Sequence, residues 1–66
     1  MDVDAQKQII AVIDSAIIEA RQYLKEAKTE QEVADRQAHL DKLEADLVAE
    51  QAKLDAMILE EENKNK

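Results

Sequence analysis

Thr29-Glu30-Gln31-Glu32 lies between two apolar stripes, and the reading of these four residues decides the fold of the chain. Thr or Ser followed three residues later by Glu is the capping box that opens a helix, with Thr29 as N-cap and Glu32 reaching back. Upstream, Ile10, Ile13, Ile17, Ala20, Leu24 and Ala27 recur in alternating steps of three and four, the spacing of a packed helical seam. Downstream, Val33, Leu40, Leu43, Leu47, Leu54 and Met57 form a second stripe, in steps of three, four and seven. In one unbroken helix at about 100° per residue, the two stripes fall on roughly opposite faces. A turn at Lys28 and Thr29 brings them face to face, with Leu24 opposite Val33, Ile17 opposite Leu40, and Ile10 opposite Leu47.

The expected fold is therefore all-α: an antiparallel two-helix hairpin, coiled-coil-like, that completes a four-helix bundle by dimerisation. A single helical domain spans 1–66. Helix 1 covers about 3–27, the turn about 28–29, and helix 2 about 30–61. A frayed tail covers 62–66. The hairpin core is expected to be Ile10, Ile13, Ile17, Leu24, Val33, Leu40, Leu43, Leu47, Leu54 and Met57. The competing architecture is a single long continuous helix in a coiled coil. No Gly enforces the turn, and a weaker small-residue seam runs straight through from Ala27 and Gln31 to Ala45, Val48 and Ala52.

Composition supports helices and limits what they can build. The 66 residues contain no Gly, Pro or Cys, and Tyr23 is the one aromatic. A domain of this size buries only about 60% of its unfolded surface, and small scaffolds usually gain disulfides, a metal or association. Disulfides are excluded, and one His makes a structural metal a poor expectation. The net charge of −7 argues against a nucleic-acid backbone or an anionic membrane as partner. The most apolar stretch, Ile9 to Ile18, is too short to span a bilayer and carries Asp14. The acidic start, Asp2 and Asp4, is unlike a signal peptide. The missing cysteines suit a cytoplasmic protein.

Catalytic constellations are missing. His39 follows Asp35 by one turn, but Arg36 stands where a di-metal bundle places Glu before its His. Ser15 has no neighbouring base. No enzyme activity, metal or cofactor is expected. Arg36 and Glu50 fall on the apolar seam and are expected at its edge with their heads in water. Cross-helix ion pairs, such as Lys25 with Glu32 and Lys42 with Asp14, are expected to favour the antiparallel orientation.

Apolar surface exceeds what one seam requires. Helix 1 is apolar over roughly 160°, whereas packing on one helix needs about 100°. The surplus is Ile9, Val12, Ala16 and Tyr23 on helix 1, and a row on helix 2, Ala38, Ala45, Val48 and Ala52, expected beside it. Tyr23 fits either an interface anchor or a cap on the closed end. These residues imply a protein-interaction surface for a second copy or for a helical segment of another protein. The expected role is oligomerisation or assembly. The competing role is a small acidic regulator, such as an inhibitor, anti-host factor or secretion-type chaperone, that masks a partner.

Overall fold

The computed structural model describes residues 2–64. It consists of two α-helices packed against each other, α1 (Val3–Lys25) and α2 (Glu30–Lys64), with no strand among the described residues. The molecule measures 56 × 14 × 12 Å. α2 alone, 35 residues at about 1.5 Å each, accounts for nearly all of that length. A continuous rod of the whole chain would approach about 100 Å. The single-helix alternative is thus overturned: the chain folds back on itself.

Each helix start is capped by its own sequence. Asp2 accepts hydrogen bonds from the backbone N–H of Asp4 and Ala5 at 3.0 and 3.2 Å, and so opens α1. Thr29 Oγ1 accepts from the Glu32 N–H at 3.1 Å and opens α2. Glu32 departs from the reciprocal capping box. One carboxylate oxygen takes the Thr29 hydroxyl at 3.3 Å, and the other takes Arg36. The chain turns with no positive φ among the described residues. α1 ends by tightening: the Glu26 N–H reaches Gln22 O and Tyr23 O, and the Ala27 N–H reaches Leu24 O at 3.1 Å. The helix consequently stops at Lys25, two residues short of the expected 27. α2 continues past the expected 61 to Lys64, a cation at the negative end of its dipole. Of the expected tail, Asn65 and Lys66 lie outside the described residues.

The centre of the seam is a small apolar cluster. Ile17, Ala20 and Leu40 are buried, with Ile13, Leu24, Leu43 and Leu47 packed around them. Ile10, Leu54 and Met57 are half-buried. Val33 is 45% exposed and is not enclosed as its stripe position implied. It stands one turn into α2 at the closed end, where the helices part into the loop.

Polar residues bracket this cluster. Gln6 is only 5% exposed, and its side-chain amide donates to the Glu50 carbonyl at 2.9 Å. Arg36 donates to the Tyr23 carbonyl at 2.7 Å. These two bonds join the helices on either side of the apolar cluster. The anticipated cross-helix ion pairs are replaced by two within α2, Arg36 with Glu32 and Lys53 with Glu50, both at 2.8 Å. Pairs three or four residues apart on a helix need no alignment between elements, so they form more readily.

Leu40→Ala is expected to destabilise the fold by about 2–5 kcal/mol, as for other enclosed leucines, and Ala38→Ser by under about 1 kcal/mol. Chemical denaturation followed by circular dichroism separates the two. Equal losses would place the core elsewhere.

Candidate interaction surface

α1 presents two apolar lines about 100° apart. The first closes the hairpin. The second remains open: Ile9, Val12 and Tyr23 are exposed and Ala16 is half-buried. Val12 is the most exposed of them, at 68%. Shallow hollows flank this line. One, of about 500 Å³, lies among Ala16, Glu19, Ala20, Tyr23 and His39. Another, of about 470 Å³, lies among Ala5, Gln8, Ile9, Val12 and Ile13. Both are open depressions of the surface.

The α2 side of this face is charged, which corrects the expected arrangement. Tyr23 shares a hollow with Asp35, Arg36 and His39, and Ile13 shares one with Asp46, Ala49, Glu50 and Lys53. Ala38, Ala45 and Ala52 are exposed. At about 100° per residue they lie roughly 160° round α2 from Leu40, Leu47 and Leu54, on its back. Val48, 67% exposed, projects from α2 on the side away from Ile9 and Val12. The two surplus apolar rows therefore do not merge into one surface. An antiparallel pair turns only one flank of each helix toward a given face, and the flank of α2 beside Val12 is polar.

The closed end is held by a compact polar assembly. The Arg36 guanidinium sits 3.6 Å from the centre of the Tyr23 ring. One of its nitrogens donates to the Tyr23 carbonyl and another pairs with Glu32. Its side chain is 16% exposed, so its head is largely withdrawn from water, contrary to the expectation for a seam-edge arginine. The planar guanidinium makes this possible, because it can stack and donate in its own plane at once. Tyr23 is thus fastened at its carbonyl and on one ring face, while the rest of the ring remains exposed.

Glu50 is likewise largely covered, with its carboxylate against Lys53. The Lys53 ammonium donates a hydrogen bond and holds the Glu50 carboxyl below the usual carboxylate range, against the opposing effect of desolvation. Gln6 is the functional residue of the seam that sequence reasoning passed over. It continues the alternating spacing upstream of Ile10, but its polarity concealed it.

His39 and Ser15 are both exposed. Among the described residues, no three His, Asp or Glu side chains group as ligands for a metal ion. No helix there is long and apolar enough to cross a membrane. No family model matches the chain. No curated protein matches it either. The same holds for solved structures.

Two outcomes follow from this geometry. Arg36→Lys is expected to destabilise the hairpin by about 1–3 kcal/mol, because an ammonium cannot stack and fork together. Amide exchange at Glu26 and Ala27 should quicken; an unchanged rate would show that the clamp is idle. The Lys53→Met variant should raise the Glu50 titration midpoint, read by NMR. In the native chain the contact is present above the ordinary carboxylate range and lost as pH falls through the lowered value. An unmoved midpoint would assign the shift to another group.

Proposed function

We propose that this chain is a non-enzymatic helical interaction module, acting in the oligomerisation or assembly of a larger complex, in the cytoplasmic setting its cysteine-free sequence suits. Its working surface is the second apolar line of α1. The observation that carries this reading is the exposure of Ile9, Val12 and Tyr23 on one edge of a hairpin in which, among the described residues, Ile17, Ala20 and Leu40 are the buried apolar side chains. β-Branched residues gain nothing on a solvated helix face, since their side chains lose rotamer freedom there without burial in return. Clustered exposed apolar groups of this kind mark interfaces. The surface is elongated, ridged at helical spacing and shallow, which fits another helix better than a small molecule.

The net charge of −7 supports a second reading, an acidic regulator that masks a basic partner. The two differ in the isolated chain. An assembly module forms a defined oligomer by itself, whereas a masking protein waits for its partner.

Val12→Asp is expected to abolish assembly while most helicity remains, because the residue is outside the seam. Light scattering with circular dichroism tests this. Ser15→Ala should assemble as the native chain does. If Val12→Asp assembles normally, the working surface has been misassigned.

A further inference from the structure

We infer that the occupant of this surface is a second copy of the chain, lying antiparallel with α1 on α1. The inference rests on the proposed reading of the α1 edge and adds its partner, orientation and register.

Apolar distribution selects which helix meets which. On the working face, the apolar side chains belong to α1. The α2 flank of that face is a stripe at alternating spacing, Asp35, His39, Lys42, Asp46, Ala49 and Lys53, and is mostly charged. Laying α1 on α2 of a second copy would bury Val12 against carboxylates and ammonium groups. Laying α1 on α1 buries apolar against apolar. Only an antiparallel pair then also lays α2 on α2 and closes four helices into a bundle.

Charge independently selects the orientation. Residues 15–42, the closed half of the hairpin, carry six acids and five bases, a net −1. The remainder carries −6 of the total −7. A parallel pair sets two −6 halves side by side. An antiparallel pair sets each against the near-neutral half of the other.

Side-chain size suggests the register, and the charges then agree with it. With the two-fold axis beside Asp14, Val12 lies level with Ala16 of the second copy and Ala5 with Tyr23, large against small, while Ile9 lies level with the aliphatic stem of Glu19, whose carboxylate reaches the rim. Within one hairpin, Gln6 is level with Glu50 and Tyr23 with Arg36. That alignment carries the same axis onto α2 near Glu44. There Asp35 falls level with Lys53 of the second copy, and Lys42 with Asp46. Each pair occurs twice by symmetry, on side chains that are exposed in the single hairpin. Lys53 keeps Glu50 as its neighbour in its own chain. The same register also brings Glu26 toward Asp2 of the second copy, a like-charge approach at the rim that salt screens.

The test uses the full chain at high micromolar concentration and low salt. Sedimentation should give a dimer. Lys42→Asp should weaken it by about tenfold, and Lys42→Asp with Asp46→Lys should restore it, since the pair is exchanged across the axis. Spin labels at Lys25 should sit about 33 Å apart, 11 residues on either side of the axis at about 1.5 Å each. A folded monomer would overturn the self-association and leave the α1 edge to a different partner. A dimer with labels within about 20 Å would overturn the antiparallel orientation, because parallel neighbours sit about 10 Å apart. A dimer indifferent to Val12→Asp would overturn the surface itself.

Discussion

Two buried or half-buried polar side chains must find acceptors, and the hairpin is built around that requirement. Gln6 and Arg36 occupy positions of the apolar seam, where an unpaired amide or guanidinium would cost several kcal/mol in lost hydration. Each finds a backbone carbonyl on the opposite helix, Glu50 for Gln6 and Tyr23 for Arg36. The Glu50 carbonyl is mid-helix and the Tyr23 carbonyl is in the last turn of α1; each has a second lone pair to offer, so neither bond disrupts the helix that supplies it. The apolar cluster supplies attraction, and the polar contacts add the one feature a heptad slide could not reproduce, the stacking of Arg36 on the Tyr23 ring beside Glu32.

The Arg36 contact also joins features that lie far apart in sequence. Thr29 caps α2, Glu32 takes the Thr29 hydroxyl and the Arg36 guanidinium, and Arg36 covers Tyr23. The start of one helix is thereby tied to the end of the other. This arrangement explains how the chain reverses without glycine. The loop keeps ordinary backbone angles, and side-chain contacts hold its two ends together. Tyr23 gains a defined orientation at the same time. A half-exposed aromatic ring fixed by a stacked arginine loses little further freedom on association, which suits the interaction role proposed for this edge.

A two-helix seam covers about 100° of each helix and leaves the remainder to solvent or to another molecule. α1 carries apolar residues beyond that arc, whereas α2 places charge on the flank facing the same way. The asymmetry sets the apolar line of α1 formed by Ile9, Val12 and Tyr23 beside a charged flank of α2 instead of a matching apolar one. It also separates the Ala row of α2 from that edge, since residues on the back of one helix cannot reach a surface formed by the flank of the other.

Helix number, the place of the reversal and most of the apolar centre were legible in the residues themselves. Ile17 and Leu40 stand at periodic positions that pair across Thr29, and a hydrophobic period of three and four residues is a local property that needs no fold to be read. The burial of Gln6 and the withdrawal of Arg36 from water were not legible. Composition alone presents both as surface residues, and only the position of a carbonyl on the opposite helix makes their burial tolerable. Val33 shows the converse: its spacing is that of a core residue, but its place at the mouth of the loop leaves it exposed. Which apolar rows share a face was likewise decided by tertiary structure. A helical wheel orders the residues around each axis separately, and the rotation of one helix against the other is set by packing between them.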